Sequence, residues 1–206
     1  MLKVNVKGQG DFFKKLADEG ITKEVYVPGT RKRVLTLSTD GIEEAKLLNP
    51  MLAIRQFRRF PLHTLIHSYS IQLFLTSQNG IKEFFSETEL AKERYVRRPD
   101  LLIINSNDVR IAVEVELTQK DTNRIYHNFY SHSVDWQKGL FEHVMYLFSS
   151  ADVQKNYTEL YNKNPWPKFI SSDGNVRHIT RVGSVDPQPI HDHGLIIFRR
   201  FEPYKM

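Results

Sequence analysis

Cysteine is absent from the 206 residues, which excludes zinc sites built on thiolate ligands. Long apolar runs are absent too: no stretch approaches the ~18 residues that a membrane-spanning helix needs. The first residues hold no apolar signal-like segment, so a cytoplasmic protein with no membrane association is the expectation. Internal repeats and low-complexity tracts are likewise missing. With 40% hydrophobic and 26% charged residues, the chain has the balance of a globular α/β protein large enough for one good core.

Charge is scarce in one half and not in the other. Residues 1–60 hold 12 Lys and Arg against 7 Asp and Glu, whereas residues 61–206 hold 17 of each. The whole net charge of +5 therefore sits near the start. A basic module beside a neutral body suits contact with a polyanion, and an ordinary solvated basic surface is the alternative.

Asp11–Glu19 reads as a short amphipathic helix with Phe12, Phe13 and Leu16 on its apolar side and Gly20 as its stop. Strands are expected at Lys23–Val27 and Lys32–Leu37, joined by a turn at Pro28-Gly29. A further helix follows Asp40, which has capping-box spacing to Glu43, and ends at Asn49-Pro50. Helix, hairpin, helix is the back half of a winged helix. Its wing tip contains Arg31, Lys32 and Arg33, residues suited to duplex DNA phosphates. Only ten residues precede Asp11, so the unit is expected to be shortened or completed by a partner. This gives a winged-helix-like module at residues 1–50 and a second domain at 51–206.

Within the second domain, Leu62–Leu75 has helical spacing. Strands follow at Lys82–Phe85, Leu101–Ile104 and Val109–Leu117, the last two linked by the polar turn Asn105-Ser-Asn-Asp108. A helix over Asp121–Gly139 and a strand at Val144–Phe148 complete the order α-β-β-β-α-β. Residues 150–206 carry few signals beyond a late strand at Leu195–Phe198.

The chemistry concentrates between Arg98 and Lys120. Strand alternation puts Glu114 and Glu116 on one face and Val113 and Val115 on the other. A hairpin brings Asp100, at the start of the preceding strand, close to Glu114. Like charges this close need a proton or a cation between them, and oxygen-only ligands favour Mg²⁺ or Mn²⁺. The plain alternative is a half-buried strand with its Glu face in solvent. Lys120, Arg124 and His127 lie at helical spacing and either line the site or form a solvated helix face. His191-Asp-His193 has metal-binding side chains but no further ligand at a useful spacing, so a polar loop is the better reading. Tyr126, Phe129 and Tyr130 are better read as core than as base-stacking groups.

Pro99-Asp100 followed by Glu114-Val-Glu116 resembles the motif of the PD-(D/E)xK nuclease superfamily, with Glu116 where a lysine is usual. Arg98-Pro-Asp-Leu-Leu-Ile, then Ala112-Val-Glu-Val-Glu-Leu-Thr-Gln-Lys120, then Arg124 and Tyr130, more closely resembles the replication-relaxation family. That family includes MobC-type plasmid mobilisation proteins, which pair a winged helix with a nuclease-like core. The likeness runs over about residues 11–148 and includes His63 after the winged unit. It implies a metal-dependent DNA endonuclease or relaxase-like activity in mobilisation or replication. Asp100 and Glu114 would be the acidic, metal-holding pair, Glu116 would stand at the lysine position, and Lys120 would supply the missing positive charge. Double-stranded DNA and other mobilisation or replication proteins are the implied partners. No nicking tyrosine aligns; Tyr26 is a candidate by position alone. The departure at Glu116 leaves a second expectation open, a catalytically inactive DNA-binding or protein-interaction factor of a relaxation or conjugation complex.

Overall fold

The computed structural model describes residues 10–26, 33–50, 62–171 and 179–201. The chain divides into two compact units, Met1–Tyr69 and Ser70–Met206.

In the first unit, helix α1 (Gly10–Asp18) leads into an antiparallel pair, β1 (Thr22–Tyr26) and β2 (Arg33–Leu37), followed by α2 (Thr39–Leu48). Gly20, at φ +75°, takes the left-handed conformation that ends α1 without a Cβ penalty. The α2 cap is Ser38 rather than the expected Asp40: its Oγ accepts the Gly41 N–H at 3.0 Å and donates to the Gly20 carbonyl. A β-region residue one step before the first helical turn has the geometry to cap, and Asp40 already lies inside the helix. Gly41 is required by contact, since a Cβ there would stand 2.0 Å from the Ile21 carbonyl oxygen. The wing residues Arg31 and Lys32 lie outside the described residues, and Arg33 opens β2.

The second unit is built on a five-stranded mixed sheet in the order β3-β4-β5-β6-β9. Helix α3 (Leu62–Ser77) precedes β3 (Ile81–Ser86), and β3, β4 (Leu101–Asn105) and β5 (Arg110–Glu116) form an antiparallel meander. The Asn105–Asp108 turn forms as expected. Asn105 Oδ1 accepts the N–H groups of Asn107 and Val109, and Asp108 has φ +60°. Helix α4 (Thr122–Gln137) then carries the chain across to β6 (His143–Phe148), which lies parallel to β5. Asp121 caps α4 by accepting the Arg124 N–H at 3.1 Å.

Residues 150–201 are more ordered than their sequence signals suggest. They form α5 (Ala151–Tyr161), a β7–β8 hairpin (Trp166–Ser171 and Ile179–Val185), the short α6 (Gln188–His193) and β9 (Ile196–Arg200). Strand β9 lies parallel to β6 and closes the sheet. Residues 172–178, between β7 and β8, are outside the described residues. The described residues thus form a mixed α/β protein with six α-helices.

Both faces of the sheet are covered. Leu101, Ile103, Val113, Val115 and Leu147 pack with Phe74 of α3 and, around it, Ile71 and Leu75. The other face packs Leu102, Ala112, Tyr146 and Phe148 against Ile125 and Phe129 of α4, Tyr157 and Leu160 of α5, and Trp166 of β7. Phe129 sits at its centre, edge-on to Tyr146, Tyr157 and Tyr161. Edge-to-face pairs of this kind add about 0.5–1.5 kcal/mol each beyond area burial. The aromatic residues Tyr126 and Phe129 are core, as expected.

Candidate active site

The alternation on β5 holds, with a consequence the half-buried reading did not include. Glu114 and Glu116 share the face of Ala112, and that face is buried under α4 and α5. Both carboxylates are 1% exposed, less than Val115 between them. Strand β5 pairs with β4 on one side and β6 on the other, and elements pack on both of its faces, so the stretch Ala112–Glu116 is buried.

Two buried carboxylates need partners, and both have them. Arg97 Nη2 lies 2.6 Å from Glu114 Oε2, and His132 Nε2 of α4 stands 3.2 Å from the other oxygen. Glu116 pairs with Lys120, which lies in the loop before α4 and reaches back four residues. Asp100 stands just before β4, one step beyond the Leu101↔Val113 pair, and its Oδ2 accepts the Val115 N–H at 2.8 Å. Glu116 and Lys120 therefore pair directly, and Asp100 is fixed to the β5 backbone at Val115, between Glu114 and Glu116.

Three members of the cluster were not anticipated. Arg97 is the arginine that enters the site; its neighbour Arg98 is exposed and lies 3.9 Å from Glu87. Asp135, fully buried on α4, accepts the N–H groups of Val96 at 2.8 Å and Arg97 at 2.9 Å, fixing the loop that carries the guanidinium. His132 completes the row. The available signal was the run Asn128, Ser131, His132 and Asp135, polar residues at helical spacing within an otherwise core-facing helix, all of them buried.

His127 and Arg124 do not join the acids through any hydrogen bond. His127 Nδ1 is 3.0 Å from the Phe169 carbonyl and ties α4 to β7. His191 and His193 sit on α6, where their Nε2 atoms lie 3.0 Å and 3.2 Å from the carbonyls of Tyr161 and Glu142, so the expected polar loop is a short helix pinned to its neighbours.

The environment drives the two glutamates apart. Burial alone pushes the Glu114 carboxyl up, but Arg97 and His132 outweigh it and hold the group well below the usual carboxylate range. Glu116 is raised: burial outweighs the Lys120 ammonium, and the Glu114 charge adds to it. The hydroxyls of Tyr146 and Tyr157 are pushed up by burial and then by the charges of Glu114 and Glu116 respectively.

Beside the cluster, a cleft of about 480 Å³ runs between the 96–98 loop, α4 and β7. Arg97, Arg98, His127, Tyr130 and Phe169 line it, and Lys168 Nζ lies 4.6 Å above the Tyr130 ring. The cleft thus combines two arginines, the Glu87 carboxylate beside Arg98, and aromatic surface.

Mg²⁺ or Mn²⁺ at Asp100 and Glu114 is what the resemblance implies. The donor set does not fit such an ion as it is arranged. Both Glu114 oxygens face cationic or imidazole nitrogens, and Asp100 has one oxygen on a backbone N–H. Among the described residues, no three His, Asp or Glu side chains are grouped to hold a metal. No described helix is long and apolar enough to cross a membrane. No protein-family model, curated protein or solved structure matches this chain.

Proposed function

We propose that the protein is a nuclease-like DNA-binding factor of plasmid or mobile-element mobilisation or replication. In this reading it has a PD-(D/E)xK-like core and a shortened winged-helix-like module, and it works in the cytoplasm with other mobilisation or replication proteins. The observation that carries it is the bond from Asp100, at the head of β4, to the β5 backbone at Val115, between the buried Glu114 and Glu116 on one face of that strand. The α-β-β-β-α-β order around them supports it, as does the cleft alongside, into which Arg97 and Arg98 are placed. Arg31, Lys32 and Arg33 are assigned to duplex phosphates, and Arg98 and Lys168 to the strand that approaches the cleft.

Duplex binding measured against salt tests this reading. A linear fall of log K with log[salt] is expected. Changing Arg31, Lys32 and Arg33 together to Ala should make the slope shallower by about 0.9 for each phosphate that is no longer neutralised. Absence of binding at low salt sinks it.

The Arg97–Glu114 pair favours a second reading, a binding factor without turnover. Divalent-metal cleavage requires Glu114 to be released from Arg97 and His132, and Asp100 from the Val115 N–H. Nicking of supercoiled plasmid with Mg²⁺ decides between the two. Nicking that Asp100→Ala abolishes supports the enzyme, and persistent binding without nicking supports the accessory factor.

A further inference from the structure

We propose that Arg97, beside Lys120 and the His132 imidazole, is a built-in cation that takes the place of a divalent metal in the acid cluster, so that the cluster is metal-blind as folded and becomes a divalent-metal site when Arg97 is neutralised. The proposal concerns the protein without DNA and holds whether or not the DNA reading does.

The first ground is geometric. A hard divalent ion needs carboxylate oxygens turned to a common point, six or so donors in all. Here the Glu114 oxygens turn to two different nitrogens, at 2.6 Å and 3.2 Å, and the Glu116 oxygen turns to a third, on Lys120. Each carboxylate is thus turned to a side-chain or backbone nitrogen, with Asp100 on the Val115 N–H.

The second ground is charge. Glu114 faces the Arg97 guanidinium and the His132 imidazole, and Glu116 faces the Lys120 ammonium. Asp100 also acts electrostatically on Arg97, so the guanidinium serves more than one acid. Adding a divalent ion to such a set puts excess positive charge into a buried space, which is strongly unfavourable at low dielectric. Removing Arg97 reverses the balance, leaving Glu114 without its guanidinium while Lys120 stays paired with Glu116.

The third ground is construction. Arg97 is held from both ends: its guanidinium is on Glu114 and its backbone N–H is on the buried Asp135 carboxylate. An arginine placed only by chance contact with an acid does not need a second buried acid to fix its loop. The side-chain carboxylates of Glu114 and Asp135 therefore treat Arg97 as a permanent member of the site.

Calorimetry and thermal melting with Mn²⁺ test the proposal on the full chain. The wild-type protein is expected to give no binding heat and no shift in melting temperature at millimolar Mn²⁺. Arg97→Gln is expected to melt lower without metal and to rise by several degrees when Mn²⁺ is about 100 times its Kd. The Arg97→Gln, Glu114→Gln double variant, neutral again at that pair, should fold and lose the Mn²⁺ response. If Arg97→Gln is unfolded alone, recovery of its helical signal by Mn²⁺ is the same readout, and failure to recover it counts against the proposal. Wild-type binding of Mn²⁺ that Asp100→Asn removes overturns it. So does a folded Arg97→Gln protein that ignores the metal.

Discussion

Asp135 on α4 and Arg97 in the loop before β4 are tied through the backbone, the Asp135 Oδ2 accepting the Arg97 N–H at 2.9 Å. That bond, with its companion to the Val96 N–H, sets where the Arg97 side chain starts and therefore which acid it reaches. Asp135 is a positioning residue: it touches neither Glu114 nor the cleft lining except through this loop.

Asp135→Asn should keep one acceptor oxygen and lose one of the two backbone bonds. Asp135→Ala should lose both, at about 0.5–1.5 kcal/mol for each part-buried bond. Urea unfolding of the two variants is expected to rank them in that order. Hydrogen exchange at Val96 and Arg97 should speed up in both, and equal stability of Asp135→Ala and wild type would contradict the assignment.

Acid stability reads the Glu114 pair. Its folded pKa lies below the ordinary 4.5, so its contribution is present above that value and is lost as pH falls from there toward the folded pKa. Wild-type stability should therefore decline below pH 4.5 more steeply than that of Glu114→Gln. At neutral pH the same variant should cost about 3 kcal/mol, because it leaves the largely enclosed Arg97 without its counter-charge. Parallel stability curves for the two proteins would remove Glu114 from the acid response.

Glu116 has the opposite sign. Its folded pKa is raised, so ionising it costs more in the folded chain, and stability is lost as pH rises from 4.5 through the folded value. Glu116→Gln removes that loss. The stability of the variant relative to wild type is expected to improve as pH rises across this window, and a difference that stays flat or worsens would argue that Lys120 keeps Glu116 ionised throughout.

Gly41→Ala tests the first unit. The added methyl would meet the Ile21 carbonyl oxygen at 2.0 Å, a backbone atom that cannot rotate away. A cost of about 1–3 kcal/mol is expected from the forced separation of α2 from the turn after α1. Amide protection in β1 and β2 should fall while that of β5 is kept.

The sequence alone determined the element order from α1 to β6, because hydrophobic periodicity, Gly and Asn turns and a Pro-Asp strand start are local signals that local geometry obeys. It also determined that Glu114 and Glu116 share a face, since a strand has a period of two whatever packs on it. It did not show that this face is buried, which depends on α4, α5 and the β7–β8 hairpin folding back over it. Within residues 150–201 it showed the late strand that is β9, but not α5, the β7–β8 hairpin or α6. Above all, it could not distinguish Arg97 from Arg98. The two are neighbours of the same type, and only the Asp135 carboxylate, 38 residues away along the chain, turns one toward the acids while the other stays exposed. Tertiary structure decided the chemistry of the site because a buried charge takes its partner from whatever folds against it, and that partner is set by distance in space.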